Sequence, residues 1–120
     1  HGIAGAEYFL NLPIRPSAIV CFNDLIATGM LKGLHNAGLD VPGDISVTGF
    51  DNITFSAYTQ PPLTTFDQPK RFIGMEAARL LLGLLKHEPD DGKKVKLLKG
   101  SLLVRSSTTA PKKVPYAERI

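Results

Sequence analysis

Residues 18–38 read AIVCFNDLIATGMLKGLHNAG, a short apolar run followed directly by an amphipathic segment. The run Ala18–Phe22 is continuous and bounded by polar residues, which is the pattern of a strand buried on both faces. Apolar residues then recur at helical spacing over Leu25–Ala37, and Gly38 stands where a helix commonly ends. A helix that directly follows a buried strand predicts one unit of an α/β fold with parallel strands.

The same alternation continues on both sides of this unit. The spacing predicts helices at Ala4–Leu12 and from Pro69 to about Lys86, and strands at Ile45–Phe50, Leu63–Asp67, Val95–Leu98 and Leu102–Arg105. The helix from Pro69 is Leu-rich with a narrow polar stripe, so we expect it to be buried on more than one side, against a neighbouring subdomain or a second subunit. Residues 106–120 are typical of a tail. The whole pattern predicts an α/β fold, a sandwich of helices around a parallel sheet.

Composition and length describe an ordinary globular domain. The chain has 120 residues, of which 43% are hydrophobic and 21% charged. Its single cysteine, Cys21, excludes an internal disulfide and suits a reducing compartment such as the cytoplasm. No run approaches the roughly 18 consecutive apolar residues of a membrane span, so we expect no membrane association. The chain opens at His1 in what resembles the middle of a helix, and we therefore interpret it as part of a longer protein.

Three predicted strands end in polar side chains that suit a small polar ligand: Asn23, Asp51 and Gln68. In open α/β sheets, ligands bind outside the carboxyl ends of the strands. Two amides and one carboxylate offer both donors and acceptors, which the hydroxyls of a sugar or nucleoside require. Each residue also has a purely structural interpretation: Asn23 could cap the next helix, Asp51 could form an Asx turn, and Gln68 could be a loop amide.

Patterns for catalysis and metal binding do not occur in the sequence. The histidines are scattered, at His1, His35 and His87, and no metal-ligand spacing is present. The chain has no nucleophile elbow, P-loop or dinucleotide-binding glycine motif. We therefore expect no catalytic residue, no metal and no cofactor, and a protein that is not an enzyme. Basic residues cluster from Lys86 onward, and we interpret them as a solvated strand edge and tail rather than a nucleic-acid surface.

Four blocks of sequence carry a family resemblance: PSAIVCFNDLIATG (16–29), GLDVPGDISVTGFDN (38–52), PPLTTFDQP (61–69) and LLVRSST (102–108). In this order and spacing they resemble the effector-binding domain of the LacI/GalR family of bacterial transcription regulators. A Leu-rich helix from Phe72 lies between the last two blocks, as in that family. The resemblance therefore runs almost from one end of the chain to the other.

The resemblance implies a two-lobed fold similar to that of periplasmic sugar-binding proteins, with the effector in the cleft between the lobes. This chain would be the C-terminal half of that domain. Residues 1–67 would belong to the C-terminal lobe, and residues 68–97 would be a crossover helix and strand that complete the N-terminal lobe. Residues 98–108 would return to the C-terminal lobe, and residues 109–120 would be a tail. The family's helix-turn-helix DNA-binding domain is absent from this chain.

The resemblance also implies which residues contact the effector. The family's cleft positions match Asn23, Asp51 and Gln68, the set that the strand ends suggest. Asp51 would be the bidentate acceptor for two hydroxyls, and the two amides would be its partners. Asp24 is expected to cap the following helix. The family also places an aromatic platform and an Arg in the amino half, so the identity of the effector stays open.

The function that the resemblance implies is that of a sensor. A small sugar-like or nucleoside-like effector would change the arrangement of the lobes and so control operator DNA binding allosterically, in a homodimer. The helix from Leu25 and the loop that holds Tyr58 would carry the dimer contacts, at Thr28, Leu31 and Tyr58; the alternative is that both simply pack within the chain. The helix-turn-helix domain that binds the operator would lie outside this chain.

Two other functions are consistent with the pattern. A periplasmic sugar-binding protein of a transport system would have the same fold, and a secretory signal upstream would distinguish it. A small α/β enzyme or a receiver-like signalling domain is the alternative from a different class. A receiver needs an acidic cluster and a Lys at successive strand ends, whereas these ends carry Asn23, Asp51 and Gln68.

Overall fold

Helices and strands alternate along the chain, as the sequence predicts. The computed structural model describes residues 1–87, 92 and 95–111. Its elements in chain order are α1 (Gly2–Leu10), β1 (Ala18–Val20), α2 (Asp24–Asn36), β2 (Ser46–Thr48), a 3-10 turn (Thr54–Ala57), β3 (Thr65–Asp67), α3 (Lys70–Leu85) and β4 (Ser101–Leu103). The α/β class is therefore confirmed. None of the helices in these ranges is both long and apolar enough to cross a membrane.

The strands bring their carboxyl ends to one edge. β1 and β2 pair in parallel, and a parallel bridge between Thr48 and Thr64 continues this order toward β3. Backbone bonds from Gly49 to Thr64 and from Asp51 to Phe66 extend the contact beyond the ends of β2 and into β3. β4 pairs with β3 in the antiparallel sense, which the prediction of an all-parallel sheet did not include. The residues that follow β1, β2 and β3 therefore lie close together.

The core lies between α1, α2 and the first two strands. Small residues let the two helices approach: a side chain on Gly2 would overlap the Ile26 carbonyl, and one on Gly33 would overlap Ala6. The buried apolar residues are Ala6, Ile19, Cys21, Ala27, Met30, Leu31, Leu34, Val41, Ile45, Val47 and Leu63. Burial raises the pKa of the Cys21 thiol to about 11, so the thiol is protonated at neutral pH and acts as a small core residue.

The Leu-rich helix is exposed within the described chain. No residue of α3 is buried against the rest of the described chain, and Leu84 and Leu85 are 67% and 68% exposed. Residues 96–98 flank its middle, beside a groove where Lys96 contacts Glu76. The predicted burial against a neighbouring subdomain or a second subunit stays a prediction, because the described residues contain neither of them.

Two predictions near the carboxyl end also need correction. Val95–Leu98 was predicted as a strand, but residues 95–100 form no regular element, because no neighbouring strand of the described chain pairs with them. Residues 106–109 are not a tail: Ser107 is fully buried, its carbonyl accepts from Val47 and its hydroxyl donates to the Val47 carbonyl. Residues 112–120 of the predicted tail, and most of the turn before Val95, lie outside the described residues. The division into lobes stays a prediction.

Candidate ligand-binding site

Asn23 follows β1 and caps α2. Its Oδ1 accepts a hydrogen bond from the Ile26 amide at 2.9 Å, so the structural interpretation of this residue is confirmed. Asp24 does not cap the helix, contrary to expectation, because its carboxylate accepts from the Ile53 amide and the Thr65 hydroxyl instead. The side-chain amide nitrogen of Asn23 has no partner within residues 1–87, 92 and 95–111. Asn23 can therefore cap the helix and still donate to a ligand.

Asp51 and Gln68 meet directly. The Gln68 side-chain amide donates to Asp51 Oδ1 at 2.5 Å, although the two residues follow different strands. The Asp51 amide donates to the carbonyl of Phe66 at 3.0 Å, which holds the loop after β2 against β3. Both side chains are half-buried. Asn23 makes no direct hydrogen bond to either of them among the described residues, so the structure joins two of the three predicted site residues into one group.

The backbone of the loop after β2 has an unusual conformation. Asp51 has a φ of 110° and Asn52 a φ of 47°, in the left-handed region that most side chains avoid. The Asn52 side chain donates to Asp67 Oδ1 at 3.1 Å. The Lys70 ammonium donates to the carbonyls of Asp51 and Asn52 and lies 3.8 Å from Asp67 Oδ1. This loop is therefore held against the start of α3.

Sequence reasoning missed Lys70 and Arg105. The Arg105 guanidinium donates to the Leu63 carbonyl at 2.7 Å, to Asn52 Oδ1 at 2.9 Å and to Ser56 Oγ at 3.2 Å. It therefore joins the end of the chain to the loop that carries Asp51. Arg105 stands in the last family-like block and Lys70 directly follows the third, but the sequence gives no sign of which backbone carbonyls they reach.

An aromatic pair borders the same loop. Phe50 and Phe66 are stacked, with ring centroids 5.2 Å apart and ring planes 7° from parallel. Phe50 is 39% exposed, so one of the rings remains open to solvent beside Asp51. An apolar surface next to a polar group is common in sites for small ligands, where the apolar face packs on the ligand and the polar group orients it.

The chemistry of this group favours binding over catalysis. Asp51 Oδ2 and the side-chain oxygen of Gln68 are free to accept hydrogen bonds, as judged from the described residues. A carboxylate that accepts from a hydroxyl forms a strong, charge-assisted bond. The described ranges contain no cluster of three metal-ligating residues, and His35 lies exposed on α2. The arrangement suits a ligand with hydroxyl or N–H groups.

The predicted dimer residues share one groove. Thr28, Leu31 and Tyr58 line a groove of about 340 Å³ between α2 and the 3-10 turn. Tyr58 is 77% exposed, whereas Leu31 is only 5% exposed and offers little surface to a partner. The neighbouring lining residues are Lys32, His35, Phe55, Thr59 and Gln60. The homodimer itself stays a prediction.

Comparisons with known proteins agree with this fold. Residues 3–108 match the model of the periplasmic binding protein-like domain. The HTH-type transcriptional repressor PurR of Vibrio vulnificus (strain CMCP6) is 45% identical over 105 residues, which are 88% of this chain and 31% of that protein.

Two solved structures show the same fold. One is the lac repressor dimer bound to operator and the anti-inducer ONPF, with a TM-score of 0.82 and 36% identity over 91% of this chain and 37% of that chain. The other is a LacI family transcriptional regulator from Arthrobacter sp. FB24 in complex with lactose, with a TM-score of 0.77 and 35% identity over 90% of this chain and 40% of that chain. The chain thus spans well under half the length of the proteins it matches. It belongs to the periplasmic binding protein-like family and, within it, to the LacI/GalR transcription regulators, as part of their effector-binding domain.

Proposed function

We propose that this chain is part of the effector sensor of a cytoplasmic LacI/GalR-type transcription regulator. It binds a small polar effector, a sugar or nucleoside-like compound, at Asp51, Gln68 and Asn23. The regulator acts as a homodimer and binds operator DNA through a helix-turn-helix domain elsewhere in the protein. The observation that carries this proposal is the direct contact between Gln68 and Asp51, at the edge where three strands end.

The Asp51–Gln68 contact supports ligand binding for a physical reason. Asp51 keeps one carboxylate oxygen free and shares the other with an amide, so an arriving hydroxyl finds a charged acceptor already held in place. Only Pro69 separates Gln68 from α3, so a ligand that changes the hydrogen bond between Gln68 and Asp51 acts on the start of that helix. Binding and a change in the orientation of α3 are thereby linked.

The relatives support the partners that we propose for this protein: a small effector, operator DNA and a second protomer. One structural neighbour is a repressor dimer bound to operator and an anti-inducer, and another holds lactose. The groove at Thr28, Leu31 and Tyr58 is where we place the contact between protomers, since its residues come from two elements and include an exposed aromatic side chain.

Calorimetry on the full-length protein tests the effector site. The panel consists of lactose, galactose, ribose, adenosine and inosine, and we expect at least one compound to bind. Asp51→Ala should weaken that binding by about 1–3 kcal/mol, because it leaves ligand hydroxyls unpaired. Glu7→Gln is the matched control, since it removes one carboxylate from an exposed position on α1.

Equal affinities for the wild type and Asp51→Ala would contradict the site. Regulation is tested separately with fluorescently labelled DNA fragments from the protein's own genomic neighbourhood. We expect the full-length protein to bind one fragment and the selected compound to change that affinity, with the response lost in Asp51→Ala. A protein that binds a sugar and none of the fragments would instead support a transport function.

A further inference from the structure

A carboxylate with no role in the proposed site lies directly beneath it. Asp24 is fully buried, at 0% exposure, and no cation pairs with it among the described residues. A charged group in such a place is costly unless hydrogen bonds replace its hydration. Its contacts show what it does there, and they all lead toward the loop that carries Asp51.

We propose that Asp24 is the positioning residue of the effector site: together with Thr65 it fixes the left-handed turn at Asp51 and Asn52 and so aims the Asp51 carboxylate. This inference rests on the proposed function, because it assigns a role toward the same site. Asp24 itself does not touch the ligand.

The first contact is direct. Asp24 Oδ2 accepts a hydrogen bond from the Ile53 amide at 2.9 Å. The backbone adds a second link, because the Asp24 amide donates to the Phe50 carbonyl at 2.9 Å. Asp24 therefore holds the chain on both sides of the two left-handed residues, immediately before Asp51 and immediately after Asn52.

The second contact is relayed by Thr65. The Thr65 hydroxyl donates to Asp24 Oδ1 at 2.5 Å, and its oxygen accepts from the Asn52 amide at 3.3 Å. Two consecutive amides of the turn, those of Asn52 and Ile53, are thus satisfied by one carboxylate, the first through Thr65 and the second directly. A backbone with positive φ is unfavourable for ordinary residues and persists where its surroundings hold it, as these bonds do.

The sequence makes room for this carboxylate. A side chain on Gly49 would overlap Asp24 Oδ1, so glycine is needed where β2 passes the start of α2. Asp24 also adjoins Asn23, and Thr65 lies in the strand that leads to Gln68. One buried group thereby touches all three chain segments that carry the candidate ligand-binding residues.

The test uses Thr65→Val in the full-length protein, since Val has nearly the same shape and loses only the hydroxyl. Thr64→Val is the matched control: Thr64 is also buried, at 2% exposure, but its hydroxyl bonds to Thr108 and to the Arg105 amide and makes no bond to the turn. Asp24→Asn is a second variant, in which one of the two carboxylate acceptors becomes a donor that opposes the turn.

The first measurement is hydrogen exchange of the ligand-free protein. We expect exchange in peptides covering residues 50–53 to be about tenfold faster in Thr65→Val than in the wild type, the size expected for loss of one hydrogen bond. Thr64→Val should leave these peptides unchanged at equal global stability. Equal exchange at residues 50–53 in the wild type and both threonine variants would overturn the inference, whether or not any compound binds.

The second measurement is a double-mutant cycle by calorimetry, with lactose as the first probe and the other panel compounds after it. If Asp24 acts through Asp51, Thr65→Val should weaken binding about tenfold in the wild type and have no further effect in Asp51→Ala. Additive losses would overturn the positioning role while leaving the proposed site intact. Unchanged binding in Asp51→Ala alone would instead overturn the proposed site.

Discussion

Helices α2 and α3 are both rich in apolar residues, yet their surroundings are opposite. α2 buries Ala27, Met30, Leu31 and Leu34 against α1 and the sheet, whereas α3 buries nothing within the described chain. The apolar residues of α2 fall on one face, and those of α3 cover most of its circumference. The apolar pattern of a helix therefore predicts how much of its own surface has to be buried. The layer that buries this surface comes from other parts of the molecule.

The largest expected difference between the two helices lies in their leucines. Leu34→Ala should lower the free energy of unfolding by about 2–5 kcal/mol, because it empties a fully buried position. Leu84→Ala, at a position 67% exposed, should change it by less than about 0.5 kcal/mol. Urea denaturation of the 120-residue chain measures both values. A comparable loss for Leu84→Ala would show that α3 is covered in solution.

A smaller difference concerns the caps. Asn23 caps α2 through its side chain, whereas Pro69 at the start of α3 supplies no side-chain hydrogen bond. Asn23→Ala should therefore destabilise the chain by about 1 kcal/mol, as measured in the same denaturation experiment. Asn23→Asp retains an acceptor for the Ile26 amide and should behave like the wild type. If Asn23→Asp were as destabilised as Asn23→Ala, the capping bond would not be the cause.

The smallest expected effect lies on the surface of α3. Hydrogen bonds from Lys96 and Arg79 lower the pKa of Glu76 below its ordinary value of 4.5. A carboxyl whose pKa is lower in the folded state contributes stability that is complete above the unfolded value and is lost as the pH falls through the folded one. Glu76→Gln should therefore flatten the acid side of the stability profile slightly, and added salt should weaken the same contribution.

An NMR titration of the Glu76 carboxyl measures this shift. A titration midpoint for Glu76 at its ordinary value of 4.5 would mean that residues 96–98 do not rest on α3 in solution. That outcome would sharpen the contrast between the two helices, since the middle of α3 would then lose this neighbour.

The sequence predicted the elements whose signals are local. The run before Asn23 and the spacing after it identified β1 and α2 within a few residues, because strand and helix periodicities are visible over one or two turns. The site prediction placed Asp51 and Gln68 at neighbouring strand ends, and they do meet. Because the first three strands run parallel, residues that follow them lie at one edge of the sheet although they are distant in sequence.

Prediction failed where the deciding partner is distant or outside the described chain. Residues 106–109 have the composition of a tail, but Ser107 bonds to Val47, 60 positions away. Val95–Leu98 has the apolar pattern of a strand and lacks a neighbouring strand in the described ranges. Asp24 resembled a helix cap because the residue at a helix start usually has that role, and the adjacent Asn23 fills it instead.

The sequence by itself determined the α/β alternation, the cap at Asn23 and the polar residues at the strand ends, because each depends on neighbours within about four positions along the chain. Only the tertiary structure decided that Asp24 lies beneath the turn at Asp51, bonded to Thr65 across 41 positions, and that the described chain itself buries no residue of the Leu-rich helix. Contacts of this second kind depend on which surfaces the folded chain brings together, and the local pattern of residues does not encode that choice.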